Sequence, residues 1–202
     1  RAVRTALSQW ITVLTGGPGT GKTTTVAGLL ALLTEQAEHG GRRRPRIALA
    51  APTGQAAARL QEAVRVEVEN LAAVDRARVS GLQAVTLHRL LGFRPGTSAR
   101  FKHHRGNRLP HDVVVVDETS MVSLTLMARL LEAVRPETRL FLVGDPDQLA
   151  SVEAGAVLAD LVDGLGDRTD VRIAELVTSH RFGASIGQLA QAVRAGDGER
   201  VL

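Results

Sequence analysis

The 202-residue sequence has no cysteine and no tyrosine, and only one tryptophan and four phenylalanines. Without thiols, disulfide frameworks and thiolate metal sites are excluded. No apolar run approaches the roughly 20 residues that cross a bilayer as a helix, and no signal-peptide pattern is present. The expected setting is therefore the cytoplasm, with no membrane partner. Opening on Arg1 rather than Met, the chain reads as a piece of a longer protein. Lysine is nearly missing, since 23 of the 25 cations are arginine. Acid is missing locally: no Asp or Glu lies between Arg76 and His111, a stretch that carries Arg76, Arg78, Arg89, Arg94, Arg100, Lys102, Arg105 and Arg108. With a net charge of only +4, the rest of the chain is mildly acidic. Such a segment reads either as a contact for a polyanion, nucleic acid foremost, or as a solvated arginine-rich face, and charge alone does not separate the two.

What is present is globular: 44% hydrophobic and 23% charged residues in a length that buries a sizeable core. Short apolar runs alternate with helical periodicity, the pattern of a parallel α/β sheet. Strands are expected at 11–15, 46–50, 113–116, 140–143 and 171–176. Helices are expected at 22–35, 54–66, 120–134, with Ser120 or Ser123 as cap, and 184–193. Residues 67–83 read as an irregular polar segment. Residues 99–111 fit the alternation poorly. They suggest two short strands around a Gly106-Asn107 turn, a basic hairpin projecting from the body as a binding element.

Residues Gly16-Gly17-Pro18-Gly19-Thr20-Gly21-Lys22-Thr23 match G-x-x-x-x-G-K-[ST] between an expected strand and an expected helix. Glycine lets backbone N–H groups curl around phosphate oxygens, and the helix N-terminus adds a favourable dipole. Lys22 would reach the β- and γ-phosphates and Thr23 would ligate Mg²⁺, with Thr24 completing the nucleotide-binding set. The run Val113–Val116 ends in Asp117 and Glu118, a carboxylate placed at the sheet edge to hold Mg²⁺ through water and a neighbour placed to activate water as general base. A nucleotide and Mg²⁺ are the implied ligands, and the family resemblance given below makes the cofactors ATP and Mg²⁺. The turn Gly144-Asp145-Pro146-Asp147-Gln148 follows another apolar strand, where Gln148 would meet the γ-phosphate or the attacking water; alone, it is simply a good turn. Ala51-Pro52-Thr53-Gly54 also leaves a strand for a helix, and Thr53 is either a phosphate contact or a helix cap.

These stretches together resemble the first RecA-like motor domain of superfamily 1 DNA helicases, specifically the RecD family, which includes the alpha subunit of exodeoxyribonuclease V. TGGPGTGKTTT, APTGQAAARL, TLHRLLG, VVVVDETSMV, VGDPDQLASVEAGAVL and LVTSHRF stand in the family's order and cover nearly the whole chain. GDPDQLASVEAG is the most discriminating, because a generic P-loop ATPase has no reason to carry it. The resemblance implies a P-loop NTPase fold, a parallel sheet with helices on both faces and a small inserted β-hairpin. Residues 1–98 and 112–202 would form the motor domain, with 99–111 the basic, pin-like hairpin that splits the duplex.

The implied activity is ATP hydrolysis coupled to 5′–3′ translocation on single-stranded DNA and duplex unwinding in recombinational repair. Lys22, Glu118, Gln148 and Arg181 would be catalytic, Arg181 contacting the γ-phosphate. Gly16 to Thr24 would hold the triphosphate, and Thr23 and Asp117 the metal. Pro52, Thr53, Thr86, His88, Lys102 and Arg105 would face DNA, although His88 by itself reads as a packed or capping histidine. Implied partners are single-stranded DNA and the duplex junction, a second RecA-like domain of the same protein, and RecB- and RecC-like subunits.

The sequence departs from the family pattern at both ends. The adenine-reading glutamine would precede Arg1, and the second motor domain would follow Leu202. The chain alone is therefore expected to bind nucleotide weakly and turn it over slowly. The helicase part of a conjugative relaxase fits the same motifs. A nucleotide-gated DNA scaffold that never hydrolyses is the non-enzymatic alternative, opposed by the intact Lys22, Asp117 and Glu118. Val79-Ser80-Gly81-Leu82-Gln83 resembles the signature loop of transporter ATPases but lies too far before Asp117.

Overall fold

The computed structural model describes residues 10–17, 19–94, 96, 101–146, 148, 157–166 and 172–176. Six strands form one sheet: β1 (Ile11–Gly16), β2 (Ile47–Ala51), β3 (Ala84–Thr86), β4 (Val113–Val116), β5 (Arg139–Gly144) and β6 (Arg172–Leu176). Their spatial order is β3-β2-β4-β5-β1-β6, and every pairing is parallel. The helices are α1 (Lys22–His39), α2 (Gly54–Glu69), α3 (Ala73–Val79), α4 (Leu87–Leu91), α5 (Leu124–Ala133) and α6 (Val157–Gly166).

Successive strand residues point to opposite faces, and both faces of this sheet are covered, so the strands read as continuous apolar runs rather than alternating ones. The four valines of β4 show the division. Val114 and Val116 join a buried cluster with Leu90, Leu91, Leu126 and Leu130 from α4 and α5. Val113 and Val115 join the opposite cluster, with Leu29, Leu30, Leu60 and Val64 from α1 and α2. Each fully buried leucine or valine contributes about 1.5–3 kcal/mol of transfer free energy, which makes the two-layer helix cover the main source of cohesion.

Helix starts are set by local chemistry. The Thr53 Oγ1 accepts from the Ala56 N–H at 3.1 Å to begin α2, and the Thr86 Oγ1 accepts from the Arg89 N–H at 3.2 Å to begin α4. The cap of α5 is Ser123, accepting from the Leu126 N–H at 3.3 Å. Ser120 instead lies in a 3₁₀ turn (Thr119–Met121), with its buried hydroxyl unpartnered. At the other end of α4, Gly92 takes the left-handed conformation (φ 72°) that stops the helix.

Several elements differ from the sequence expectation. The segment 67–83 contains α3, held by Arg78, whose guanidinium bridges Asp75, Glu35 and Glu38. β3, α4 and α6 have no counterpart in that reading. The expected helix at 184–193 lies outside the described residues. Among the described residues of 99–111 there are single bridges in place of two strands, Phe93 to Phe101 and His104 to Asn107. The turn falls at Arg105-Gly106, one residue earlier than expected, with His104 and Asn107 exchanging both backbone hydrogen bonds at 3.1 and 2.9 Å. The reason the second arm does not project is Leu109. Its side chain is fully buried in the core and its N–H donates to the Ala133 carbonyl at 2.7 Å. Arg108 also donates to the Val134 carbonyl. No helix among the described residues is long and apolar enough to cross a membrane.

Candidate nucleotide and nucleic-acid site

A parallel sheet ends all its strands on one edge, and ligands bind in the crevice outside the carboxyl ends. Here that edge gathers the sequence-predicted residues from five strands. Gly16 ends β1, Pro52 and Thr53 follow β2, Thr86 ends β3, Asp117 and Glu118 follow β4, and Asp145 to Gln148 follow β5. The register makes neighbours of these ends, with Thr15 opposite Gly144, Ala50 opposite Val116, and Ala51 opposite Thr86.

The loop between β1 and α1 curls as a phosphate cradle requires. Gly19 (φ 75°) and Gly21 (φ 81°) are left-handed, and the Thr20 Oγ1 donates to the Gly17 carbonyl at 2.9 Å. At Gly16 a Cβ would lie 2.7 Å from the Leu176 carbonyl oxygen and 2.6 Å from the Thr20 Oγ1, so only glycine fits. The Lys22 Nζ turns back into the loop and donates to the carbonyls of Gly16 at 2.5 Å and Gly17 at 2.9 Å. Thr23 is half-buried and Thr24 exposed at the first turn of α1. Pro18 lies outside the described residues.

Asp117 continues the β2–β4 ladder through its N–H, which donates to the Ala50 carbonyl at 2.9 Å. Its carboxylate accepts from the Glu118 N–H at 2.9 Å. Burial pushes the Asp117 carboxyl up from its ordinary range, against the pull of that N–H and of the Lys22 charge. Asp117 is not directly beside the P-loop strand, because β5 intervenes between β4 and β1. The acidic pair and the lysine are thus brought together across one strand. A half-buried carboxylate at the sheet edge, with a lysine charge in reach, is a donor set that fits a divalent cation and a polyphosphate.

Glu118 is half-buried and left-handed (φ 50°, ψ 42°), the one non-glycine residue with positive φ among the described residues. Burial and the adjacent Asp117 charge push its carboxyl up, and Arg59 on α2 opposes them. A carboxylate with raised proton affinity is a better general base at neutral pH. Arg59 was not singled out as a site residue in the sequence, because nothing in its spacing says that α2 brings it near Glu118. Gln148 is exposed, with its N–H donating to the Asp145 carbonyl at 3.2 Å, on the loop leaving the strand next to β1. Arg181 lies outside the described residues.

On the side of β2 and β3, the cap reading of Thr53 is realised, and Thr86 is a cap as well. Pro52 is half-buried between β2 and Thr53. His88 is exposed and packs on two phenylalanines, its ring centroid 5.6 Å from Phe93 and 5.9 Å from Phe101. Lys102, next to Phe101 in sequence, and Arg105, in the turn between His104 and Asn107, are both exposed.

Residues 1–154 match the family described as AAA domain. The chain is 73% identical over 201 residues to the RecBCD enzyme subunit RecD of Mycolicibacterium smegmatis, covering all of this chain and 36% of that protein. It is 43% identical over 151 residues to the ATP-dependent RecD2 DNA helicase of Deinococcus radiodurans, covering 75% of this chain and 18% of that protein. Among solved structures, Pif1 helicase from Candida albicans superposes with a TM-score of 0.54 at 21% identity, over 94% of this chain and 42% of that one, a likeness of fold. The chain spans about a third of the length of the RecD subunits it matches. It belongs to the AAA domain family of P-loop proteins, and within that family it is the RecD proteins that its sequence resembles.

Proposed function

We propose that this chain is the ATP-hydrolysing motor domain of a DNA helicase of the RecD kind, acting in recombinational repair in the cytoplasm. The observation that carries the reading is the meeting, on one sheet edge, of Lys22 in its glycine cradle with the Asp117–Glu118 pair, next to the strand ends that present Thr53 and Thr86. The printed names of the relatives, a RecD subunit and a DNA helicase, support the same conclusion.

Bound ATP and Mg²⁺ supply the phosphoanhydride and the charge neutralisation that make phosphoryl transfer to water feasible. The chain's own residues do the rest. The backbone from Gly16 to Thr24 would hold the triphosphate, and Lys22, which now donates to two loop carbonyls, would bind its phosphates. Thr23 and Asp117 would hold the metal. Glu118 takes the proton of the attacking water, Gln148 senses the γ-phosphate, and Arg181 contacts it. Pro52, Thr53, Thr86, His88, Lys102 and Arg105 track single-stranded DNA, largely through its phosphates. The segment 99–111 meets the duplex junction as a pin through its turn at Arg105-Gly106, and a second RecA-like domain of the full-length protein closes the cleft. RecB- and RecC-like subunits are the further partners.

Intact Lys22 and Glu118 weigh against a scaffold that never hydrolyses, and whole-chain identity to RecD weighs against a relaxase helicase part. Duplexes with a single 5′ or 3′ tail test the proposal in the full-length protein. Unwinding from the 5′ tail, lost when residues 100–110 are removed, is the expected result. Unwinding from the 3′ tail alone overturns the polarity, and unwinding that survives the deletion overturns the pin.

A further inference from the structure

Aromatic residues are scarce in this chain, yet two of its four phenylalanines sit together at the surface with a histidine. Phe93 and Phe101 have ring centroids 5.8 Å apart, and His88 lies within 6 Å of both. No pair stacks face to face, with interplanar angles of 86°, 49° and 54°. Phe101 is half-buried, anchored on the core below. Phe93 is 45% exposed, an unusual place for one of so few large rings.

The cluster is built into the fold. Phe93 and Phe101 face each other across an antiparallel bridge, Lys102 donates its N–H to the Gly92 carbonyl at 3.1 Å, and His103 donates to the Leu91 carbonyl at 3.0 Å. Gly92 is required there twice over. Its φ is 72°, and a Cβ would come within 2.6 Å of the Lys102 Cβ. The chain thus uses a glycine and two backbone hydrogen bonds to hold two rings at the surface. Helix α4 starts directly after β3, so the rings stand one short helix from the sheet edge where Thr86 neighbours the end of β2.

We propose that the Phe93–Phe101–His88 cluster is a stacking platform on which an unpaired base of the DNA strand lies, with Phe93 as the ring it covers. The inference rests on the DNA-motor reading above and adds to it a contact to base rather than phosphate. Charge favours a nucleic acid over a protein partner, since no acid occurs between Arg76 and His111, the segment that carries the rings, while Arg89 and Lys102, each adjacent in sequence to a member of the cluster, are exposed. An exposed π-face among cations is the arrangement by which proteins hold single strands without reading sequence.

The test uses the full-length protein, a fluorescein-labelled single-stranded oligonucleotide and a salt series. Phe93→Ala is expected to weaken binding by roughly tenfold, the loss typical of one base–aromatic contact. Phe93→Trp should restore it and Phe93→Leu should not, because leucine offers apolar area without a π-face. The slope of affinity against salt should stay unchanged in Phe93→Ala and fall in Lys102→Ala, since only the latter removes a phosphate contact. If Phe93→Ala fails to fold, the contrast between the Leu and Trp variants decides by itself. Equal binding by the wild type and Phe93→Ala, or by the Leu and Trp variants, overturns the platform. If Phe93→Ala then releases a partner subunit instead, the patch is a protein-docking surface. Wild-type protein whose ATP turnover ignores DNA overturns the motor reading itself, whereas stimulated turnover with Phe93 silent overturns the platform alone.

Discussion

Glu118 occupies a backbone conformation that an ordinary side chain pays to adopt. At φ 50° and ψ 42° it is left-handed, which costs an L-residue about 1–2 kcal/mol through the contact of Cβ with the following carbonyl. Asparagine visits this region far more readily. Replacing Glu118 by Asn should therefore return about 1 kcal/mol of stability. A second contribution has the same sign, because burial and the Asp117 charge both disfavour the Glu118 carboxylate, with only Arg59 opposing them. Glu118→Ala separates the two, since alanine removes the charge but keeps the strained Cβ. The expected order in urea unfolding, without nucleotide or metal, is Asn above Ala by about 1 kcal/mol, with Asn above the wild type. Both variants should lose ATP hydrolysis in the full-length protein. Stability would thus be gained where function is lost, the signature of strain kept for a catalytic role. An Asn variant no more stable than the Ala variant would refute the strain argument.

Three further outcomes follow from other sites. Burial pushes the Asp112 carboxyl up, but the Arg46 N–H (2.8 Å), the Arg135 guanidinium (2.8 Å) and the Arg43 guanidinium (2.9 Å) prevail and hold its pKa at about 2, below the ordinary 3.8. That stabilisation is fully present above pH 4 and lost as pH falls through 2, so Asp112→Asn should cost about 2 kcal/mol at pH 7 and roughly half as much at pH 3 by urea unfolding; an equal cost at both would contradict it. Gly16→Ala should lower stability by about 2 kcal/mol through overpacking against the Leu176 carbonyl and weaken nucleotide binding by calorimetry. Gly28→Ala in α1, where nothing lies within 4 Å, should instead stabilise by about 0.5–1 kcal/mol.

The legible parts of the site were those whose chemistry is written in contiguous residues. The P-loop and the Asp117–Glu118 pair need fixed neighbours in sequence, because one loop and one strand end deliver them, and both were readable together with strands β1, β2, β4, β5 and β6. What escaped depends on pairing across the fold. Three-residue β3 has too few side chains to show a period, and its place beside β2 is set by register. The return arm after Arg105 reads as a basic hairpin, yet the burial of one side chain, Leu109, pulls it onto the body. The proximity of Arg59 to Glu118 and the gathering of His88, Phe93 and Phe101 arise from helix placement that no spacing announces. The left-handed Glu118 was illegible for another reason: glutamate is not a residue that marks such a position, and the surrounding turn imposes it.

The central claim, that this edge of the sheet is a DNA-coupled ATP motor, is tested most directly by ATP turnover of the full-length protein with and without single-stranded DNA, beside Lys22→Ala. The account predicts strong stimulation by DNA and no turnover in the variant. Turnover that is indifferent to DNA, or that survives the loss of Lys22, would contradict it.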